Sequence, residues 1–356
     1  MRTQRILFIL FIFCITSQLK AQNSAVTNAI LYQRDGNLVK AKQQIDLAEV
    51  HDKTKGSAKT WYYKGLIYSD IYKSDDVSVK ELAGDALMTS TDAYYKSIEL
   101  EKNPSGEYTP LAMKQLEENW VNLVNRGIAY YQTKKNQNAL DMFAVAQKIK
   151  PTDTTAFIYG TYAAEALKKV ELVQEFSNKL LKMNYKSLYV YSNTITYAMD
   201  QKNYTKAIEL CNQALNDFPL ENTVLQYRTL AYIQAGKASE GIESLKLELK
   251  TKPYNIELNT SLAVFYNELK DLDKALEVYN RIIAVEPHNF FANYNAAVIN
   301  LNKGNELAKK NDKPGSIALF KKSLENAKRA KALAFEDDDI DTLNKLIIEL
   351  NSLTGN

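Results

Sequence analysis

Residues 218–287 read FPLENTVLQYRTLAYIQAGKASEGIESLKLELKTKPYNIELNTSLAVFYNELKDLDKALEVYNRIIAVEP, and this stretch decides the fold. Pro219, Pro253 and Pro287 recur in it at a constant interval of about 34 residues, a length typical of repeated helix–turn–helix units. Pro151 lies two such intervals before Pro219. Proline suits the turn where one helix ends and the next begins, because it has no N–H to donate and its φ is restricted. Turns at this interval therefore predict repeated helix–turn–helix units.

Two other positions keep the same interval. The first, twelve residues before each proline, holds a small residue: Ala139, Ala207, Gly241 and Ala275. The second, four residues further on, holds a larger one: Phe143, Cys211, Leu245 and Tyr279. Small residues let two helices approach closely, and a larger side chain fills the space between neighbours. We therefore expect both sets to be buried between helices.

The first helix of a unit has its own signature. Residues 61–68 read WYYKGLIY, and Leu123 to Tyr130, with Gly127, repeat this pattern more loosely. Together with the constant interval, these motifs make the chain resemble the tetratricopeptide repeat (TPR) family. The resemblance implies an all-α, right-handed superhelical solenoid over 22–335, with a capping helix at 336–356. About eight units would begin near residues 22, 58, 120, 154, 188, 222, 256 and 290, and an insertion at about 74–88 interrupts the second.

Residues 1–21 have the composition of a secretory signal peptide. Arg2 and Arg5 precede an apolar run from Ile6 to Ile15, and a small residue, Ala21, stands at the exit. The apolar run is about half of the roughly 20 residues that a membrane-spanning helix needs. We expect cleavage after Ala21 and export, most simply to the periplasm, with the outer surface or secretion as alternatives, and no transmembrane anchor afterwards.

Removal of this segment makes the chain formally neutral. It takes away three of the 45 basic residues and no acids, which leaves 42 basic against 42 acidic residues. A neutral total gives no long-range attraction for nucleic acid, and we expect no nucleic-acid partner. Cys211 then remains alone and cannot form an intramolecular disulfide.

Candidate catalytic or metal-binding groups are few. His51 and His288 are the only histidines, they lie far apart in the sequence, and both are interpreted as turn residues. Cys211 falls on the repeat position that fills the interhelical gap, so a buried, inert thiol is the simpler interpretation. Neither Asp75-Asp76 nor Asp337–Asp339 has the spacing of a calcium loop. We therefore predict no catalytic residues, no metal, no cofactor and no enzymatic activity.

The resemblance also implies a concave groove lined by the first helix of each unit. Carried over by position, the candidate partner-binding residues are Tyr62, Leu66, Ile128, Tyr131, Ile158, Tyr162, Tyr189, Gln226, Ile233, Asn267, Phe291 and Tyr294. This set is rich in aromatic rings and amides and has little charge, which suits contact with a peptide. For any single ring, packing between helices is an equally good interpretation, and binding is favoured for the set as a whole.

The leading functional hypothesis is a non-enzymatic scaffold or adaptor in the bacterial cell envelope that binds a segment of a partner protein in this groove. The alternative is a glycan-capture accessory subunit of an envelope uptake system, since Tyr and Trp rings can stack on sugars. Self-association into a homo-oligomer is left open by the insertion and the long final helices. The identity of the partner does not follow from the sequence.

Overall fold

A computed structural model describes residues 25–355, and the signal peptide predicted at 1–21 lies outside them. All regular secondary structure in residues 25–355 is helical, which confirms the predicted all-α fold class. The chain divides into two compact bodies at Met183 and Asn184. We call the described part of the first, 25–183, the N-terminal half, and that of the second, 184–355, the C-terminal half. The handedness predicted for the whole superhelix stays a prediction.

The N-terminal half contains nine described helices: α1 (25–34), α2 (Leu38–Val50), α3 (Ala58–Lys73), α4 (Val77–Lys80), α5 (Ala86–Glu101), α6 (Thr109–Gln132), α7 (Asn136–Ile149), α8 (Thr155–Ala166) and α9 (Val170–Lys182). The predicted insertion at about 74–88 contains the short α4, which lies between the paired helices α3 and α5. Helix α6 begins at Thr109, ahead of the predicted unit start near 120, with Pro110 in its first turn.

The C-terminal half contains nine described helices: α10 (Leu188–Asp200), α11 (Tyr204–Asp217), α12 (Asn222–Gln234), α13 (Ala238–Leu249), α14 (Ile256–Glu268), α15 (Leu272–Val285), α16 (Phe290–Lys309), α17 (Lys313–Lys331) and α18 (Asp337–Thr354). Successive helices pack as hairpins, α10 with α11, α12 with α13, α14 with α15 and α16 with α17. Helix α18 packs on α17 and opens with three aspartates, which favour the positive end of the helix dipole.

The interhelical packing follows the predicted positions. Phe143, Cys211 and Tyr279 are fully buried, and Leu245 is nearly so. The small positions leave no room for larger side chains: the three alanines there are fully buried, and a Cβ added to Gly241 would clash with the ring of Phe265. The prediction of close approach at the small positions and filling at the larger ones is therefore confirmed.

The turn between the two helices of a hairpin contains a residue with a left-handed backbone. This residue recurs at the repeat interval, with φ between 55° and 69°, at Lys134, Lys168, Lys202, Gly236 and Lys270. In the turn after α12, the Lys237 N–H donates to the Tyr232 carbonyl (2.8 Å), as in a Schellman motif. Four of these five positions hold lysine instead of the glycine that this conformation favours.

The turns between hairpins in the C-terminal half are held by two buried asparagines. The Asn259 side-chain amide donates to the carbonyls of Pro253 (3.0 Å) and Asn255 (2.8 Å). Asn293, at the same position of the next repeat, makes the same two bonds to Pro287 (3.0 Å) and Asn289 (2.8 Å). Each amide thus ties a proline turn to the first turn of the following helix and sets where α14 and α16 begin.

Candidate functional site

The C-terminal half contains an open concave pocket of about 520 Å³ between α12, α14 and the start of α16. We call it the α12–α14 pocket. Its apolar lining consists of Leu230, Ile233, Ile256, Val264 and Phe291. Its polar lining consists of Asn222, Gln226, Thr229, Glu257, Thr260, Ser261 and Asn289.

The pocket depends on where helices α14 and α16 begin. The side chain of Asn255 accepts a hydrogen bond from the Leu258 N–H (2.8 Å), and Asn289 accepts one from the Ala292 N–H (2.9 Å). Such N-caps satisfy amide groups that have no partner inside the helix. Together with the buried amides of Asn259 and Asn293, they place Phe291 at the edge of the pocket.

Two large apolar side chains in the pocket remain exposed to solvent. Leu230 is 44% exposed and Phe291 is 41% exposed. Glu257 is the one charged residue in the pocket lining, and its carboxylate accepts a hydrogen bond from the Asn255 side chain (2.8 Å). The pocket therefore combines accessible apolar area with neutral hydrogen-bonding groups, and it offers little to attract a highly charged ligand.

Three of the predicted site residues, Gln226, Ile233 and Phe291, meet in this pocket. Two others face their own hairpins instead. The Asn267 amide donates to the Tyr279 hydroxyl (2.9 Å), and the ring of Tyr294 stacks on Phe290 with centroids 6.1 Å apart. Tyr189, at the start of α10, is half-buried and is not part of the pocket lining.

The predicted site residues of the N-terminal half lie in two separate places. Tyr62 is buried, 8% exposed, in a cluster with Tyr94 and Tyr108, so it packs between helices and does not line a groove. Leu66 packs against the same cluster. The second place is formed by α6 and α8, where the rings of Tyr131 and Tyr162 lie 6.3 Å apart. Ile128 and Ile158, on the same two helices, are half-buried.

Sequence reasoning missed Leu230, Thr260 and Val264, although a signal for them was present. Thr260 stands one repeat interval after the predicted Gln226, and Val264 stands one interval after Leu230. Leu230 lies four residues after Gln226 on the same face of α12, because residues four apart are neighbours on a helix. The repeat interval applied to Gln226, combined with the four-residue spacing on the helix, would therefore have found these three residues.

The few reactive groups lie outside this pocket. Burial raises the pKa of the Cys211 thiol to about 12, and the side chain is a free, buried cysteine, which confirms its predicted packing role. His51 ends α2, and His288 lies in the turn before α16. Within residues 25–355 there is no group of three or more His, Cys, Asp or Glu side chains that could hold a metal ion. Among the helices of that same range, none has both the length and the apolar character needed to cross a bilayer.

The fold and the pocket define the class: a protein built of helix–turn–helix repeats that presents a concave surface with a single charged lining residue. The family described as "Psidin, N-terminal TPR repeats region" matches residues 192–296, which cover the hairpins from α10 to α15 and the start of α16. Residues 192–296 thus have the sequence and the hairpin pattern of tetratricopeptide repeat proteins. Proteins of this kind are generally non-catalytic and act as scaffolds for other proteins, using the concave surfaces that stacked repeats create.

Individual relatives are distant. The human intraflagellar transport protein 88 homolog is 29% identical over 131 residues, which are 34% of this chain and 15% of that protein, so the match spans a small part of its length. The C-terminal part of a TPR repeat-containing protein from Cytophaga hutchinsonii is 15% identical, with 79% of this chain and 98% of that chain covered and a TM-score of 0.43. A TPR repeats protein from Bacteroides fragilis is 16% identical, with 66% and 98% covered and a TM-score of 0.35.

Proposed function

We propose that this chain is a non-enzymatic scaffold of the bacterial cell envelope that binds an uncharged segment of a partner protein in the α12–α14 pocket. The observation that carries the proposal is the pair of exposed apolar side chains, Leu230 and Phe291, in a concave surface with a single charged lining residue. Contiguous apolar surface at a concave site is costly to leave in water, and a partner that covers it gains the corresponding free energy.

The lining also favours a polypeptide as the occupant. Gln226 and Asn222 carry both a donor and an acceptor, so each side chain can pair with the N–H and C=O groups of a peptide backbone. The volume of about 520 Å³ suits a few side chains of such a segment and is far too small for a folded domain. Apolar residues of the segment would cover Leu230 and Phe291, with its backbone amides on the polar lining.

The envelope location in this proposal rests on the signal peptide pattern of residues 1–21. The periplasm is the location we propose, and the outer surface and secretion are its alternatives. A scaffold exported in this way would meet partners among envelope proteins, which is where a search for the partner should begin.

The test is site-specific photocrosslinking in intact cells. A photoreactive residue at Gln226 should capture one recurrent protein, and Leu230→Ala with Phe291→Ala should abolish that crosslink. Leu247→Ala is the matched control, because Leu247 is also exposed (65%) but lies on α13 outside the pocket lining. A crosslink that survives the pocket variants, or that the control abolishes equally, would place the partner elsewhere. Binding of an oligosaccharide panel, lost in the same pocket variants, would instead favour the glycan alternative.

A further inference from the structure

The C-terminal half has a second concavity, a notch of about 280 Å³ between α13 and α15, the second helices of two consecutive hairpins. Four cationic side chains surround it: Lys246, Lys250, Lys274 and Arg281. Glu277 is the one carboxylate in its lining, and its apolar lining is Leu249, Leu262 and Val278. We call this site the α13–α15 notch. None of its residues is shared with the α12–α14 pocket.

Tyr266 projects from α14 into the base of the notch. The residue is 8% exposed, and the ammonium group of Lys274 lies 5.5 Å from the centroid of its ring. The hydrogen bond to Glu243 and the nearby Tyr266 phenol raise the pKa of Lys246 above its ordinary value. The ammonium groups of Lys246 and Lys274 therefore both lie near the side chain of Tyr266, and ammonium and phenol groups can donate hydrogen bonds to an anion.

Three of the four cations pair with acids close to them in the sequence, and Arg281 also donates to the side-chain oxygen of Asn259 (3.3 Å). Lys246 pairs with Glu243 (2.9 Å), Lys274 with Asp271 (2.6 Å) and Arg281 with Glu277 (3.2 Å). All three pairs join residues three or four positions apart, and at least one partner in each is largely exposed. Exposed pairs of this kind contribute little free energy, so a ligand with more charge can replace the acids.

The repeat itself does not require this charge. The residues one repeat interval before Lys246, Lys250, Lys274 and Arg281 are, in the same order, Asn212, Asn216, Glu240 and Leu247. The buried positions, by contrast, keep their character from repeat to repeat, as Ala207, Gly241 and Ala275 show. The four cations line one notch and have no counterparts one repeat earlier, so they are a local feature of this part of the chain and not a requirement of the fold.

We propose that the α13–α15 notch binds a phosphate-type dianion. Three ammonium groups and a guanidinium surround a space that holds one such group, and lysine serves phosphate as a point charge that approaches from any direction. A single carboxylate, with one charge and a planar pair of oxygens, would use only part of this set. The phosphate can be free or part of a lipid headgroup, and these two sources share the chemistry that the notch recognises.

The test is a calorimetric titration of residues 22–356 with inorganic phosphate at constant ionic strength. We expect saturable binding, and we expect Lys250→Gln with Lys274→Gln to weaken the affinity at least ~10-fold, since each lost charged hydrogen bond is substantial. Lys206→Gln is the matched control. Lys206 pairs with Glu209 (2.7 Å, three positions apart) just as Lys274 pairs with Asp271, but it lies on α11 outside the notch.

Three results would overturn the proposal. They are the absence of saturation with phosphate, an equal loss of affinity in the control variant, and tighter binding of an oligoglutamate peptide than of phosphate at the same residues. Thermal unfolding of each variant shows whether the fold persists, and Tyr266→Phe, which removes only the phenol hydroxyl, offers a second test if the lysine variants unfold. Vesicles containing phosphatidic acid, compared with inorganic phosphate, then identify the source. This site is independent of the proposed partner pocket, so either can fail alone.

Discussion

Replacing Asn293 by alanine tests how the repeat turns are held. The side chain of Asn293 is fully buried, and its amide donates to the carbonyls of Pro287 (3.0 Å) and Asn289 (2.8 Å). A hydrogen bond of this kind contributes about 1 kcal/mol net, so the loss of two should lower the free energy of unfolding by about 2 kcal/mol. The Asn289 carbonyl still accepts the helical bond from the Asn293 N–H, and this keeps the expected cost from being larger.

Asn295→Ala is the matched control on the same helix. The Asn295 amide also donates to a backbone carbonyl, that of Phe291 (2.8 Å), but this bond is exposed to solvent, so water can take its place. We expect this variant to lose less than about 0.5 kcal/mol. Both variants should be measured by urea unfolding of residues 22–356, monitored by the circular dichroism of the helices.

Hydrogen exchange adds a local measurement to the same experiment. If Asn293 ties the proline turn to α16, amides in the first turns of α16 should exchange faster in Asn293→Ala, while those of α10 keep their protection. Equal loss of stability in the two variants, or no loss in Asn293→Ala, would refute the reasoning that the buried amide holds the turn. Because Phe291 lies in the same first turn, the variant should also weaken crosslinking from the α12–α14 pocket.

Three further predictions concern single residues. Lys202 and Gly236 both have a left-handed backbone, which glycine adopts at lower cost than residues with a Cβ. Lys202→Gly should therefore stabilise the chain by about 0.5 kcal/mol and Gly236→Ala should destabilise it by about 1 kcal/mol, as measured by thermal unfolding. The hydrogen bond from Lys186 lowers the pKa of Asp217 below its ordinary 3.8. The ionised Asp217 side chain therefore stabilises the folded chain fully above pH 3.8, and this stabilisation is lost as the pH falls through the lower pKa of the folded state. Asp217→Asn should thus be less stable than wild type at neutral pH and equally stable in acid. Cys211, with its pKa raised to about 12, should resist iodoacetamide at mildly alkaline pH until urea unfolds the chain, and rapid labelling of the folded protein would contradict its burial.

Much of the fold was predictable because its determinants repeat. The buried small residues and the larger residues four positions further on follow the constant interval that the prolines reveal, and both sets are buried as expected. The left-handed turn positions follow the same interval but could not be predicted from residue type. Lysine occupies four of them, and nothing in the preferences of lysine indicates a positive φ.

The candidate site was less predictable, and Tyr62 shows why. Its helix segment, WYYKGLIY, is apolar on more than one face, so spacing alone does not decide which rings point into a groove. The structure decides this through α6, whose N-terminal turns, before the predicted unit start near 120, bring Ala112 and Leu116 against Tyr62. An extension that belongs to no repeat therefore turned a predicted groove residue into a core residue.

The two concave sites of the C-terminal half depart from the repeat in different ways. The α12–α14 pocket uses positions that recur, Gln226 with Thr260 and Leu230 with Val264, so two consecutive repeats present similar, uncharged surfaces side by side. This arrangement suits an extended segment that crosses several repeats. The α13–α15 notch uses cations that do not recur, which suits a compact group bound at one point. If both sites are occupied, a partner held along the pocket and an anion held in the notch would contact different residues, and α14 contributes side chains to both sites. To test whether one site influences the other, the phosphate titration should be repeated in the pocket variants and the crosslinking in the notch variants. If neither result changes, the two sites are independent. If both change, the sites are coupled.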